Sequence, residues 1–360
     1  MRVMQVIARM NLGGTARYVG RIAQALPEQG FDMLLVTGQV QGSEVEDPVI
    51  DHLAIRRIQH LGRRIHPLDD VRARHELRTA IRLHTPDLIH THTFKAGALV
   101  RSLKLNIPVV HTFHGHLFDD PDFSGRKARI ISLIERLLAP RTTRIVTVGE
   151  VVGQDLLQRG IGTPDQYVSI PPGVDALELP ARDDARERLH ISTDALVVAW
   201  VARVTEVKGP ERVIALAERF PDTTFLMAGG GNLLEVMQRR APANLRVLGW
   251  MPTADVYAAA DIALSTSFNE GMPLSLIEAQ LAGLPVVAND VGSVREVVQH
   301  ETTGFVGANS DLVENLGILV RDAALRREMA SAAQDRAQRT FSPERMLKAH
   351  SDLYSDAVRD

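Results

Sequence analysis

Two carboxylates frame the stretch of the chain richest in usable chemistry, Ser267-Phe-Asn-Glu270-Gly271-Met272-Pro273-Leu274-Ser275-Leu-Ile-Glu278-Ala279. It follows an apolar run of strand length, Ile262–Ser265. Gly271 and Pro273 mark a tight loop, and Pro273 suits the first turn of a helix. A strand-to-helix loop at the carboxyl edge of a parallel sheet is where such folds take ligands. The free N–H groups between Met272 and Ser275 then point at an anion, helped by the helix dipole. Glu270 precedes that helix and Glu278 falls in its second turn. A phosphate alone gives two carboxylates no task. A ligand with hydroxyls on both sides of a diphosphate does, and a sugar nucleotide is laid out as sugar, diphosphate and ribose. A capped surface helix with two solvated glutamates fits the same spacing equally well.

Cations are supplied by Ala202-Arg203-Val-Thr-Glu-Val-Lys208-Gly209-Pro210, which follows the run Leu196–Ala202. Arg203 and Lys208 could both reach a diphosphate at the sheet edge; two ordinary surface bases is the plainer alternative. Gly229-Gly230-Gly231 closes the next strand and permits a close backbone approach, as any tight turn would. Gly13-Gly14-Thr15 opens the first helix. It is not GxGxxG, and Met33–Thr37 is followed by Gly38-Gln39 and not by an acid, so dinucleotide binding is disfavoured. His90 and His92 alternate on one strand and share a face, and His111, His114 and His116 follow the next strand. Five histidines could be read as a metal site, but with no cysteine in the chain packing and cleft-edge roles are favoured. Asp120-Pro121-Asp122 is a DxD triplet of a common kind, expected in a loop.

These residues need a scaffold, and the pattern provides two. Val3–Ala8, Met33–Thr37, Asp87–Thr91, Pro108–Thr112 and Arg144–Val148 are short apolar runs separated by segments of helical length, the first helix covering Thr15–Leu26. Such runs read as buried parallel strands of a doubly wound α/β sheet. Ile170-Pro171-Pro172-Gly173 breaks the pattern, which then restarts with Leu196–Ala202, Phe225–Ala228, Leu245–Leu248, Ile262–Ser265 and Pro285–Ala288. Two similar domains are expected, spanning 1–172 and 173–341. Ser342-Pro343 caps a last helix running to about Val358.

The 360 residues contain no cysteine, which excludes disulfides, zinc–thiolate sites, iron–sulfur clusters and a cysteine nucleophile. No run approaches the roughly 18 apolar residues of a membrane span, and the N-terminus lacks a signal-peptide pattern. The net charge of −3 gives no global pull toward nucleic acid. The charge is uneven: residues 1–170 hold 22 Lys+Arg against 17 Asp+Glu, and the remainder 19 against 27. Segment 124–141 carries apolar Ile130, Ile131, Ile134, Leu137 and Leu138 on one helical face and Arg126, Lys127, Arg129 and Arg136 on the other. It could lie on an anionic membrane or simply pack on the sheet with a solvated basic face. Arg56-Arg57 and Arg63-Arg64 add to the basic half.

Taken in order, the motifs resemble those of the family 4 retaining glycosyltransferases of GT-B fold. The matching residues are Gly13-Gly14, His111-Thr-Phe-His114-Gly115, Ile170-Pro-Pro-Gly-Val-Asp175, Arg203 with Lys208-Gly209, and Gly229-Gly-Gly231. The strongest match is Glu270 with seven residues before Glu278, followed by Ala282-Gly-Leu-Pro-Val-Val287 and Asp290-Val-Gly292. The resemblance spans nearly the whole chain. It implies two Rossmann-like domains facing across a cleft, the first on the acceptor side and the second on the donor side, with residues 342–360 crossing back to the first.

The resemblance also implies roles. Glu278 would hold ribose hydroxyls and Glu270 hydroxyls of the donor sugar. Arg203, Lys208 and the backbone at Gly14, Gly230 and 271–275 would neutralise the diphosphate, and His114 would sit beside the donor sugar. His114, Arg203, Lys208 and Glu270 are thus the expected catalytic set. No metal or cofactor is implied. The leaving phosphate oxygen can take the acceptor's proton on the same face, so no protein nucleophile is needed. Pro172 departs from the asparagine common in the family. A hexosyl or N-acetylhexosaminyl unit on a UDP donor is implied, moving to a hydroxyl acceptor such as a lipid-linked sugar. The implied setting is cytoplasmic, peripheral on the inner membrane face, with no nucleic-acid partner. A sugar-nucleotide epimerase and a non-catalytic binding subunit are the rival readings.

Overall fold

Parallel ladders organise the whole chain. The structure, a computed structural model, describes residues 1–42, 44–62, 66–115 and 125–359. His116, Arg63-Arg64, Ser124 and the Asp120-Pro121-Asp122 triplet lie outside the described residues. The chain divides into two units, Met1–Gly173 with Pro343–Asp360, and Val174–Ser342.

In the first unit the strands are β1 (Arg2–Ile7), β2 (Asp32–Thr37), β3 (Ile55–Arg57), β4 (Leu88–His92), β5 (Val109–Phe113), β6 (Arg144–Thr147) and β7 (Tyr167–Ser169). They lie in the order β3-β2-β1-β4-β5-β6-β7, all paired parallel. The second unit has β8 (Val197–Val201), β9 (Thr224–Ala228), β10 (Leu245–Gly249), β11 (Ile262–Ser265), β12 (Val286–Asn289) and β13 (Gly304–Gly307). Their order is β10-β9-β8-β11-β12-β13, again parallel. Each unit is a Rossmann-like doubly wound sheet, as the alternating pattern predicts. β4, β5 and β12 are buried at every position because helices cover both sheet faces. Strand order reverses between β1 and β4 and between β8 and β11, which opens a crevice at the carboxyl ends there.

Three strands escape the sequence pattern: β3, β7 and β13. All are sheet edges. An edge strand has one ladder neighbour and one poorly covered flank, so it can stay short and mixed in polarity; β7 is half-buried throughout and β3 carries Arg56 and Arg57. By contrast, β13 is largely buried and escapes because its apolar run, Phe305-Val306, is only two residues between glycines.

The last helix, Pro343–Arg359, belongs to the first unit, as expected. Its buried residues Met346, Leu347, His350, Leu353, Tyr354 and Ala357 recur at the helical period and pack on helix Gly14–Ala25 and β4. Helix Arg126–Leu138 differs from expectation. Ile131 and Leu138 turn inward with Glu135, whereas Ile130, Leu133 and Leu137 are exposed. The inward face also holds an ion pair: Glu135 Oε2 lies 2.9 Å from Arg101 Nη1, with both side chains fully buried. A charged position thus lies inside and three apolar side chains lie outside, among Arg126, Lys127, Arg129 and Arg136. Among the described residues, no helix is long and apolar enough to cross a membrane.

Candidate functional site

The crevice between β8 and β11 holds the densest polar constellation of the second unit. After β8 the chain runs through Arg203 to one 3₁₀ turn, Glu206–Lys208, and then helix Pro210–Arg219. The switch between them falls on Gly209 at φ 64°, a left-handed conformation that favours glycine. A Cβ there would stand 2.4 Å from the Thr266 carbonyl oxygen. After β11 comes Thr266, whose hydroxyl donates between the carbonyls of Lys208 at 3.0 Å and Gly209 at 2.9 Å. The same oxygen accepts the buried Trp200 indole N–H at 3.0 Å. Phe268 N donates to Val207 O at 2.8 Å, and Arg212 donates to Thr266 O at 3.0 Å with its guanidinium over the Phe268 ring. These bonds stitch the two loops into one rigid edge.

On that edge Lys208 Nζ donates to Glu270 Oε1 at 2.6 Å, and Ser267 Oγ donates to the same oxygen at 2.7 Å. Glu270 is only 9% exposed. Its backbone oxygen accepts from Ser293 N, and Asn289 at the end of β12 donates to Ser267 O at 3.2 Å. The side-chain oxygens Thr205 Oγ1, Asn289 Oδ1 and Ser293 Oγ are buried without a hydrogen-bond partner among the described residues. Unsatisfied buried polar atoms are uncommon and tend to mark functional places. Lys208 and Glu270 are 62 residues apart, and the fold alone makes them partners.

The loop then leads into helix Leu274–Leu281. Pro273 is its N-cap and not a first-turn residue, and no side chain caps the helix start. The helix start is therefore open at Leu274 and Ser275, next to Gly271 and Met272, where an anion would be favoured. Glu278 is buried in the second turn. Arg203 is exposed. Gly230 lies beneath Trp250, whose indole Nε1 would be 1.9 Å from an added Cβ. Trp250 itself is 68% exposed. Sequence reading missed Ser267, Thr266 and Trp250, because nothing in their spacing separates them from ordinary loop residues.

In the first unit Gly14 begins helix Gly14–Ala25 at an exposed, uncapped N-terminus. That helix presents Tyr18 to His114, which follows β5; the ring centroids are 5.0 Å apart and edge-on. His114 Nε2 lies 3.1 Å from His92 Nδ1. His90 and His92 share a face as predicted, with centroids 4.0 Å apart, while His111 turns to Thr91 on the opposite face. His90 bonds Thr112 and Tyr354, each at 2.6 Å. Loss of hydration, and secondarily the neighbouring His350, holds His114 down to about 3. His90, His92 and His111 are pushed well below the ordinary histidine value by the same burial. The cluster is a neutral, hydrogen-bonded ring network. Among the described residues, no group of three or more His, Asp or Glu is placed to hold a metal ion.

The family description "Glycosyl transferase 4-like domain" matches residues 13–173, and "Glycosyl transferases group 1" matches residues 181–336. The D-inositol 3-phosphate glycosyltransferase of Corynebacterium glutamicum (strain R) is 33% identical over 76% of this chain and 73% of its own length. That of Salinispora tropica is 32% identical over 76% of this chain, which spans 64% of that relative. The Escherichia coli UDP-Gal:alpha-D-GlcNAc-diphosphoundecaprenol alpha-1,3-galactosyltransferase is 25% identical over 96% of this chain and 95% of its own length. Among solved structures, sucrose-phosphate synthase from Thermosynechococcus elongatus superposes with a TM-score of 0.86, 20% identity and 99% coverage of both chains. Anabaena HepE, in complex with UDP and glucose, has a TM-score of 0.83 and 20% identity, over 99% of this chain and all of its own. These structures share the fold, two Rossmann-like units of GT-B type. On the two family matches and the relatives above 30% identity, the chain belongs to the group 1 glycosyltransferases.

Proposed function

We propose that this glycosyltransferase moves a hexosyl or N-acetylhexosaminyl unit from a UDP-sugar to a hydroxyl acceptor, with retention and without a metal. The observation that carries the reading is the Lys208–Glu270–Ser267 constellation beside the uncapped helix start. It offers a cation and backbone donors for a diphosphate, and carboxylates on either side of it. When the diphosphate arrives, Lys208 exchanges the Glu270 carboxylate for phosphate oxygen. Glu270 is thereby freed to accept from hydroxyls of the donor sugar, and Glu278 from those of the ribose. As the sugar–phosphate bond breaks, charge grows on the leaving diphosphate, and Lys208, Arg203 and the amides at 271–275 stabilise it in the transition state. The leaving oxygen takes the acceptor's proton on the same face, while His114 contacts the sugar. The second unit serves the donor and the first the acceptor.

The name of the Escherichia coli relative, a galactosyltransferase acting on a diphosphoundecaprenol-linked sugar, supports a lipid-linked acceptor. So does the exposed apolar row Ile130, Leu133 and Leu137 set among basic side chains, which suits the cytoplasmic face of an anionic membrane. The test is thermal unfolding with UDP, GDP, ADP and buffer alone. A nucleotide at 100 times its dissociation constant adds about 2.7 kcal/mol, a shift of roughly 5–10 °C for a unit of this size. UDP is expected to give that shift, and Glu278→Ala to remove it. A shift with GDP or ADP alone overturns the choice of nucleotide, and none with any nucleotide overturns the donor site.

A further inference from the structure

The first unit buries a second polar system, distant in sequence from the loops of the second unit, that converges on His114. Its starting point is the last helix. His350 Nδ1 donates to the Met346 carbonyl at 2.9 Å, one turn back. In the neutral ring that leaves Nε2 as an acceptor, and the Tyr18 hydroxyl lies 3.1 Å from it. The same hydroxyl is 3.3 Å from Ile170 O, so its one proton faces two acceptors, of which the His350 nitrogen is the nearer. Tyr18, locked at its hydroxyl end, lays its ring edge-on to His114 at 5.0 Å and 87°. Burial holds His350 down to about 4, so it stays an acceptor at neutral pH.

A second route reaches the same residue. Tyr354, one turn beyond His350 on the same helix face, bonds His90 Nδ1 at 2.6 Å. The His90 ring packs on His92 at 4.0 Å, and His92 Nδ1 meets His114 Nε2 at 3.1 Å. Both of these contacts of the His114 ring therefore trace back to the last helix. His350, Tyr354, His90 and His92 are fully buried, and Tyr18 nearly so. Apolar rings would fill that space without hydrogen bonds to satisfy; a satisfied polar network adds a single fixed orientation.

We propose that Tyr18 and His350 are positioning residues for His114, through which the C-terminal helix sets the orientation of the imidazole that serves the donor sugar. The inference rests on the reading of His114 as a sugar contact. His92 occupies Nε2, so Nδ1 is the nitrogen presented to the ligand.

The experiment uses the full-length chain and three variants. Tyr18→Phe keeps the ring and deletes the hydroxyl. His350→Phe removes the acceptor, and His350→Gln returns one on a shorter arm. Two quantities are measured: UDP released from UDP-glucose and UDP-galactose, and the ¹⁵N ring resonances of His114, assigned by their loss in His114→Ala. Tyr18→Phe and His350→Phe are expected to lower kcat about tenfold with KM for the UDP-sugar unchanged. In both, the His114 ring signals move toward tautomer-averaged values, and His350→Gln restores most of both readouts. Wild-type kcat together with unmoved His114 signals in folded Tyr18→Phe and His350→Phe overturns the proposal. If His114→Ala itself releases UDP at the wild-type rate, the reading of His114 fails; the ring signals alone then decide whether the helix positions it.

Discussion

Lys208 and Glu270 neutralise each other across 2.6 Å with side-chain exposures of 18% and 10%. A pair so poorly hydrated is costly to halve, because the remaining charge keeps its burial and loses its partner. In the proposed function each has a second task once a diphosphate replaces one side of the pair. Lys208→Ala and Glu270→Ala should therefore each lower UDP-sugar turnover by about 10²-fold or more, the scale of a lost transition-state charge contact. Both should stay folded, with the double variant melting above the less stable of the two singles. Steady-state rates and melting curves check this, and near-wild-type turnover in either single variant removes the site assignment. Ser267 shares the Glu270 oxygen, so Ser267→Ala should loosen the carboxylate and give a smaller loss.

At the scale of elements, helix Arg126–Leu138 shows a charged residue sharing the inward face with apolar ones. Periodicity alone groups Ile130 with Ile131 and Leu137 with Leu138. With Glu135 turned inward to Arg101, one of each couple lies outside, since adjacent helical residues point about 100° apart. Among the described residues, nothing covers the exposed row. Ile130→Glu with Leu137→Glu should leave melting and UDP release from UDP-sugars unchanged while abolishing co-sedimentation with phosphatidylglycerol vesicles at low salt. If the wild-type chain never sediments with those vesicles, the membrane reading is wrong. The edge strands teach the complementary lesson. β3, β7 and β13 are strands because a neighbour offers them a ladder, and their own composition does not demand it.

At the scale of the whole molecule, the histidine-rich first unit carries a pH liability. His350 is held near 4 and His114 near 3, against about 6.5 when the chain is unfolded. The unfolded chain thus takes up protons from about pH 6.5 downward while the native unit refuses them, so stability falls as pH falls through that window and is flat above it. His350 alone should remove about 2 kcal/mol between pH 7 and pH 5, or roughly 4–8 °C of melting temperature. Differential scanning calorimetry at a series of pH values tests this. His350→Gln should lessen the slope by its own share, leaving that of His90, His92, His111 and His114, and a melting temperature that does not fall from pH 7 to pH 5 contradicts the buried neutral network.

Much of this protein is legible along its length. The apolar runs locate ten strands to within about a residue, since a parallel strand covered on both faces must be apolar throughout. Ser342-Pro343 announces the last helix, and Glu270 with Glu278 brackets the loop proposed to take hydroxyls around a phosphate. The Lys208–Glu270 contact, the Thr266 stitch between two loops and the ring network from His350 to His114 lie beyond such reading. Each joins residues tens to hundreds of positions apart, and local pattern carries no information about which loops meet at a sheet edge. That meeting is decided by strand order: where β8 lies beside β11, and β4 lies under the last helix, side chains become partners that the chain itself never brings near one another.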